Sequence, residues 1–332
     1  MRNTAGYKTA MLRSNAGPPS GQLTIQLKCM VGRKVNDAVD WLRSARNKLR
    51  AFAYADQAAP QRRPRIGLAL SGGFARGIAH IGVFRVLQAA GIPIDCVAGT
   101  SSGSLIGAGF CAGVPLMDME NAALGTKFTD FGRWTPSWLG LATNLRMEGY
   151  WKRLSQVTTF EEMTTPFAIA ATDLRAGMAV YFTQGLILPP MRGSCAYPGL
   201  FVPVQYEGRT LVDGFLAAPV PVEGAFLLGA DIVISIYLEA GSVDEPRTVG
   251  DIISRSFTII QGKADLAWRQ QADIIIEPDV KPFRWDDFTQ TPNLIAAGEA
   301  AAMAALPRIR AKVASFEQES EVPAKRGLGE GS

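Results

Sequence analysis

Two apolar strands, each ended by a glycine-rich turn and a helix, constrain the fold of this chain more than any other feature. The first strand is residues 65–70 (RIGLAL), followed by the turn 71–77 and a helix through Ala90. The second is residues 94–98, followed by residues 99–103 (GTSSG) and another apolar helix. Two strands joined by a helix form a parallel unit with a right-handed crossover. The sequence therefore predicts an α/β domain, and 332 residues with 47% hydrophobic content suffice for one such domain and an extension.

Later apolar runs predict further strands of the same domain. We expect strands at residues 167–172, 179–183, 205–212 and 231–236. The last of these is typical of a strand buried on both faces. An alanine-rich helix is predicted over residues 294–316.

Between these elements, the stretch 125–165 is rich in tryptophan. It holds Trp134, Trp138 and Trp151 in a setting of mixed polarity. Such a stretch fits either a lid over a site or ordinary helix packing, and the sequence leaves both interpretations open.

Charge is distributed unevenly and divides the chain into parts. Residues 1–65 hold 13 Lys/Arg and 3 Asp/Glu, a net charge of +10, whereas the other 267 residues hold 21 and 27, a net charge of −6. Residues 35–54 carry apolar side chains at helical spacing with basic residues between them. This predicts an amphipathic helix that either packs on the main domain or contacts an anionic membrane surface. We predict a basic extension (1–64), a main domain (65–316) and a disordered polar tail (317–332).

Composition also argues against several classes of protein. We find no apolar stretch long enough to span a membrane and expect no secretory signal. The four cysteines are far apart and have no histidine near them, so no zinc site is predicted. We expect a cytoplasmic protein, free or in peripheral membrane contact through residues 35–54. We expect no metal, no organic cofactor and no nucleic-acid partner.

Residues 99–103 match the G-x-S-x-G pattern of a serine-hydrolase elbow, in which the serine lies on a sharp strand-to-helix turn. Gly99 and Gly103 would relieve crowding around such a turn. Ser101 is then a candidate nucleophile, although a helix N-cap at this position explains the same residues. The chain has one histidine, His80, and it precedes the serine, which does not fit the α/β-hydrolase order of a triad. The base is therefore predicted to be a carboxylate.

The turn 71–77 places consecutive glycines, Gly72 and Gly73, at the start of a helix. Backbone N–H groups that converge there suit either a phosphate or an oxyanion. A dinucleotide site would need a glycine where Phe74 stands, although Asp95 lies near the distance expected of a ribose ligand. The dinucleotide alternative is weakened by this mismatch and stays open.

A third element, Asp213-Gly214, ends the predicted strand 205–212 and is explained by an ordinary turn as well as by catalysis. The order of the three elements is a glycine nest, G-x-S-x-G, and Asp-Gly about 110 residues later. This order resembles the patatin-like phospholipase family, in its bacterial single-domain branch. Further segments that match in order are 77–83 (GIAHIGV), 91–95 (GIPID), 171–174 (ATDL), 197–201 (YPGLF) and 228–231 (LGAD).

The resemblance covers residues 65–238 and implies a three-layer α/β/α sandwich with a mainly parallel central sheet. It implies a lipid acyl hydrolase of the phospholipase A or lysophospholipase type, which acts on fatty-acyl esters without a cofactor. In the implied Ser-Asp dyad, Ser101 is the nucleophile and Asp213, followed by Gly214, is the base. The implied oxyanion hole is built from the backbone of Gly72, Gly73, Phe74, Ala75, Arg76 and Gly77.

The chain departs from the family pattern in three places. Phe74 replaces a frequent glycine, Phe215 stands where Gly or Ala is usual, and residues 217–219 lack the common Asn before Pro. We expect the two bulky rings to narrow the site. His80 matches a position that the family often fills with histidine and does not use as a base, so we expect it to pack in a helix. Two other functions stay open, a nucleotide-binding oxidoreductase and a non-catalytic lipid-binding protein.

Overall fold

The structure, a computed structural model, describes residues 63–239, 245, 248–264 and 266–321. The described elements belong to one compact unit, Gln61–Ser332. The predicted amphipathic helix, the rest of the basic extension before residue 63 and the tail after residue 321 lie outside the described residues.

A mixed eight-stranded sheet forms the centre of this described part, and a separate hairpin (β3–β4) lies outside it. In chain order the strands are β1 (Ile66–Leu70), β2 (Cys96–Thr100), β3 (Arg133–Trp134), β4 (Ala142–Thr143), β5 (Phe167–Asp173), β6 (Met178–Phe182), β7 (Val204–Tyr206), β8 (Arg209–Asp213), β9 (Ile232–Ile236) and β10 (Ile274–Ile276). Strands β10, β9, β1, β2 and β5 are neighbours in that order and are mutually parallel. Strands β6, β7 and β8 continue the sheet in antiparallel fashion.

Buried side chains of the parallel strands alternate between two cores. Leu68 and Val97 belong to the larger core, whereas Ala69 and Ala98, the next residue of each strand, belong to the smaller one. Successive side chains of a strand point to opposite faces, so both faces of the sheet are covered. The continuous apolar runs in the sequence follow from this double burial.

Helices cover the two faces and complete three layers. In chain order they are α1 (Ala79–Ala89), α2 (Ser102–Cys111), α3 (Leu116–Leu124), α4 (Arg146–Leu154), α5 (Leu188–Ser194), α6 (Val222–Leu227), α7 (Val249–Ala264), α8 (Leu266–Gln271) and α9 (Thr291–Glu321). Helices α1, α2 and α9 contribute to the larger core, and α6 and α8 contribute to the smaller one. The predicted α/β/α sandwich with a mainly parallel sheet is confirmed. Within the described residues, no helix is long and apolar enough to span a bilayer.

The structure corrects two predicted boundaries and adds one strand that the sequence pattern does not indicate. Residues 205–212 form parts of two strands, β7 and β8, because Glu207 (φ 48°) and Gly208 (φ 73°) adopt the left-handed conformation of a two-residue hairpin turn. Strand β10 has only three residues, and the sequence pattern gives no strand there. Helix α9 continues through residues 317–321, which were assigned to the tail.

The three tryptophans of the stretch 125–165 have different environments. Trp151 is buried in α4, and its indole N–H donates to the carbonyl of Val157 at 2.7 Å, as expected of helix packing. Trp134 and Trp138 belong to the β3–β4 hairpin and are exposed. Helix packing is therefore confirmed for Trp151, and the lid interpretation stays a prediction for the hairpin.

Candidate active site

Strand β5 brings the ends of two other strands together. Strand β2 runs parallel to β5, and its last residue, Thr100, pairs with Ala170. Strand β8 runs antiparallel to β5, and its last residue, Asp213, pairs with Ala171, the next residue along. Strands β2 and β8 lie on the same edge of β5, because β6 occupies the opposite edge. Ser101, which directly follows β2, therefore meets Asp213 although 112 positions separate them.

Ser101 occupies a strained turn between β2 and α2. Its φ of 53° and ψ of −126° are rare for a residue other than glycine. A Cβ on Gly99 would meet the backbone of Gly103, and a Cβ on Gly103 would meet the carbonyl of Leu70. Side chains at these two positions would therefore force the strand and the helix apart. The Ser101 side chain makes no helix-capping hydrogen bond, so the N-cap alternative is not supported.

A hydrogen bond joins the two side chains that were predicted as a dyad. Ser101 Oγ donates to Asp213 Oδ2 at 2.7 Å, and both residues are buried. Asp213 Oδ1 accepts a second bond from the N–H of Phe215 at 3.1 Å. Burial raises the pKa of the Asp213 carboxyl to about 7, although the two hydrogen bonds act in the opposite direction. Such a carboxylate is a stronger base for a hydroxyl proton than an ordinary aspartate.

Ser194, at the end of α5, supports the turn in a way that the sequence did not indicate. Its Oγ accepts a hydrogen bond from the N–H of Ser101 at 2.8 Å and donates to the carbonyl of Ala170 at 2.6 Å. Ser104 Oγ donates to the carbonyl of Ser101 at 2.6 Å. The amide and carbonyl of Ser101 are thus both bonded to serine hydroxyls. No local pattern distinguishes Ser194 in the sequence, because its role depends on α5 packing against β5.

The glycine nest after β1 is smaller than predicted. The N–H of Ala75 donates to the carbonyl of Trp285 at 2.9 Å, and the N–H of Arg76 donates to the carbonyl of Gly73 at 3.1 Å. Gly77 lies in the 3₁₀ helix Phe74–Ile78, whose amides bond within the helix, and its missing side chain makes room for Ser102. The predicted oxyanion hole is therefore corrected at these three positions.

Three amides remain candidates for the oxyanion hole. The N–H groups of Gly72, Gly73 and Phe74 donate to no acceptor among the described residues. A Cβ on Gly72 would lie 2.9 Å from Ser101 Cβ, so this part of the backbone lies directly beside the serine. Donors in this position are suited to a negatively charged oxygen near Ser101 Oγ.

The two bulky residues that depart from the family pattern belong to one aromatic cluster. Phe74, with a φ of 54°, packs edge-on against Trp285 with ring centroids 4.8 Å apart. Its ring also lies 6.2 Å from that of Tyr197, on which Phe215 stacks at 5.1 Å. Phe74 lines the cavity beside Ser101, whereas Phe215 is not among the described residues that line it. Only the first of the two rings narrows this cavity.

An apolar cavity begins at the serine. It is partly open to solvent and has a volume of about 70 Å³. Besides Ser101, its lining includes Phe74, Ile78, Leu105, Ile106, Met147 and Phe201. Hydrocarbon is the kind of ligand group that such a lining favours.

Neither His80 nor Asp95 belongs to this site. His80 is fully buried in α1, and its Nε2 donates to the carbonyl of Ser71 at 2.9 Å. Burial lowers its pKa to about 4, so the ring is neutral at pH 7. Asp95 lies before β2, at the opposite end of that strand from Ser101, where its carboxylate pairs with Arg63 at 2.7 Å and accepts from the N–H of Ile66. It is therefore far from the position that a ribose ligand requires.

Comparison with known proteins agrees with these observations. The model of the family described as patatin-like phospholipase matches residues 68–226, a range that contains the nest, the elbow and Asp213. The chain belongs to the patatin-like phospholipase family. The resemblance found in the sequence is thereby confirmed.

Two curated relatives illustrate how this patatin-like domain compares with longer proteins. An uncharacterized NTE family protein of Mycobacterium tuberculosis is 34% identical over 200 residues, which are 58% of this chain and 55% of that protein. The lysophospholipase NTE1 of Mycosarcoma maydis is 33% identical over 230 residues, 65% of this chain and 12% of that protein. This patatin-like chain thus spans about half of the first relative and a small part of the second.

Among solved structures, VipD from Legionella pneumophila aligns with a TM-score of 0.49 and 14% identity. The alignment covers 75% of this patatin-like chain and 67% of that one.

Within the described residues, no group of three or more His, Cys, Asp or Glu side chains is arranged to hold a metal ion.

Proposed function

We propose that this chain hydrolyses acyl esters of lipids, as a phospholipase A or lysophospholipase, through a Ser101–Asp213 dyad and an acyl-enzyme. The observation that carries the proposal is the 2.7 Å hydrogen bond from Ser101 Oγ to Asp213 Oδ2, with Ser101 in the lining of an apolar cavity. A nucleophile bonded directly to its base is the arrangement that covalent catalysis requires.

In the first step, Ser101 Oγ attacks the carbonyl carbon of the ester while its proton passes to Asp213 Oδ2. The carbonyl oxygen becomes an oxyanion, which the N–H groups of Gly72, Gly73 and Phe74 are placed to bind. Collapse of this intermediate breaks the ester bond. The departing alkoxide takes the proton from Asp213, and the acyl group stays on Ser101.

In the second step, water attacks the acyl-enzyme. Asp213 accepts a proton from the water, and a second oxyanion forms at the same amides. When this intermediate collapses, Ser101 Oγ leaves and recovers the proton from Asp213, and the fatty acid is released. The raised pKa of Asp213 makes the carboxylate basic enough to take part in both proton transfers.

The lining of the cavity supports a lipid substrate. Apolar side chains such as Leu105, Ile106 and Met147 offer an acyl chain a place to bury its methylene groups next to Ser101. Each buried methylene contributes about 0.8 kcal/mol. The name lysophospholipase, carried by the fungal relative, agrees with this class of substrate.

The dinucleotide alternative loses its main support, since Asp95 is engaged by Arg63 at the other end of β2. The non-catalytic alternative differs from the proposal in one measurable property. A lipid-binding protein without catalysis would bind lipid and leave Ser101 unmodified.

A fluorophosphonate probe tests the proposal. We expect peptide mass spectrometry to find the label on Ser101 in the wild type and to find none in Ser101→Ala. Ser102→Ala is the matched control, because it removes the adjacent hydroxyl and should keep the label. Absence of labelling in a folded protein that binds lipid would favour the non-catalytic alternative.

A further inference from the structure

The β3–β4 hairpin presents large apolar side chains to solvent. Trp138 is fully exposed, and Trp134, Leu139 and Leu141 are each at least 60% exposed. Isolated exposed apolar residues are common, but adjacent tryptophan and leucine side chains on one short hairpin usually mark a contact surface. We call this group the hairpin patch.

A second exposed apolar group lies on α7. Ile259 and Ile260 follow Ile252 by seven and eight positions, which places all three on one side of the helix, and each is about half exposed. From the same helix, Phe257 packs edge-on against Tyr197 and Phe215 at the aromatic cluster. We call the three isoleucines the helix patch.

The hairpin patch and helix α7 both adjoin the segment 197–201, whose Phe201 lines the cavity. On the hairpin side, the ring of Trp134 lies 5.9 Å from that of Phe128, which stacks at 5.9 Å on Phe201, a residue of the cavity lining. On the helix side, Phe257 lies 6.0 Å from Tyr197. The hairpin patch therefore lies beside the cavity that Ser101 lines. The helix patch faces away from it, because Ile252 and Ile259 lie about 140–160° around the helix axis from Phe257.

The charge around the hairpin patch favours an anionic surface. Residues 127–153 contain five Lys/Arg and two Asp/Glu, a net charge of +3. Arg133 and Arg146, which flank the hairpin, are exposed. Tryptophan beside basic residues is the composition of protein surfaces that enter the headgroup region of a bilayer.

We propose that the hairpin patch docks this chain on the surface of a phospholipid bilayer, with Trp138 and Leu139 entering the region between headgroups and acyl chains. The inference rests on the proposed function and deepens it. Docking would let a lipid pass from the bilayer to the cavity without exposing its acyl chain to water. Docking itself does not need catalysis, so it is measured separately.

The test uses full-length protein and vesicles of ether-linked phosphatidylcholine, with and without ether-linked phosphatidylglycerol, which contain no carboxylic ester for the enzyme to cleave. We expect the wild type to bind both and to bind the anionic vesicles more tightly. The double variant W138S/L139S should partition at least about tenfold more weakly, because it removes the two side chains that enter the bilayer.

Leu227→Ser is the matched control. Leu227 is 66% exposed on α6, which packs on the other face of the sheet, so its replacement should leave vesicle binding unchanged. A second variant, Trp138→Phe, keeps an aromatic ring at the tip. We expect it to bind within roughly twofold of the wild type and to lose the part of the fluorescence quenching by brominated lipids that Trp138 provides.

Several outcomes would overturn the docking proposal. They are no vesicle binding by the wild type, full binding by W138S/L139S, and an equal loss in Leu227→Ser. Self-association of the wild type that W138S/L139S abolishes, without vesicle binding, would identify the hairpin patch as an interface between copies. Failure of the proposed function gives a different result, namely ester hydrolysis by Ser101→Ala while vesicle binding stays intact.

Discussion

At the scale of single residues, burial determines how the proposed dyad can react. Asp213 is 1% exposed, so its charged form is disfavoured and its pKa rises to about 7. The hydroxyl of Thr172 donates to the main-chain carbonyl of Asp213 at 2.9 Å and fixes the end of β8. The carboxylate is therefore both rigidly placed and unusually basic.

Asp213→Asn is expected to lower kcat for a soluble ester by about 10²–10⁴, the usual contribution of a general base. An amide has nearly the same shape and can still accept from the N–H of Phe215, but it cannot take the Ser101 proton. Steady-state kinetics with a short-chain nitrophenyl ester measure the effect. His80→Gln is the control, since a neutral buried histidine bonded to Ser71 has no part in the proposed proton transfer. Unchanged kcat in Asp213→Asn would remove Asp213 from the mechanism.

The pH dependence of hydrolysis is expected to report the same carboxyl group. The base must be deprotonated, so kcat/KM should rise with pH and level off above the Asp213 pKa of about 7. An aspartate with the ordinary value of 3.8 would give a flat profile through this range. His80, with a pKa of about 4, cannot supply an inflection near neutrality. A profile that is flat from about pH 5 to 8 would contradict the role given to Asp213.

At the scale of elements, β1, β2 and α2 approach each other at the elbow more closely than a side chain allows. Gly103→Ala is expected to lower the free energy of unfolding by several kcal/mol, because its Cβ would collide with the carbonyl of Leu70. Gly149→Ala is the matched control. Gly149 lies in α4, where a Cβ would meet only Arg153 at 3.8 Å, and alanine there should stabilise by about 0.5–1 kcal/mol. Urea unfolding compares the two variants, and equal stabilities would mean that the elbow is less tightly packed than described.

At the scale of the whole molecule, the buried carboxyl links folding to pH. The folded pKa of Asp213 is raised from 3.8 to about 7, so between these values the folded chain binds a proton that the unfolded chain does not. The contribution of this carboxyl group to the free energy of unfolding therefore falls as pH rises through that window. The contribution of His80 to the free energy of unfolding changes in the opposite direction and rises with pH, because its folded pKa is lowered from 6.5 to about 4.

A comparison with Asp213→Asn isolates the carboxyl from the histidine. Both proteins keep His80, so the difference between their free energies of unfolding should change by several kcal/mol between about pH 5 and pH 8, in favour of the variant at the higher pH. Urea titrations at both values measure it. If the difference between the two free energies of unfolding does not change with pH, the pKa of Asp213 is not raised by burial.

By itself, the sequence determined the local strand–turn–helix units of this protein. Alternation of apolar strands with glycine turns predicted β1, β2, α1 and α2, since backbone conformation and side-chain period are local properties. The motif order predicted the family, which the comparison confirms, and named Ser101 and Asp213 as partners. It could not predict which amides of the nest remain unbonded, because Ala75 donates to Trp285, a residue more than two hundred positions away.

Tertiary structure alone decided how those units meet. Ser101 and Asp213 touch because β2 and β8 end at adjacent residues on one edge of β5. Ser194 supports the elbow because α5 packs on that same strand. Contacts of this kind depend on strand register and helix packing, which join distant positions and leave no periodic trace in the chain. The raised pKa of Asp213 has the same origin, since burial is a property of the assembled fold and not of an Asp-Gly pair.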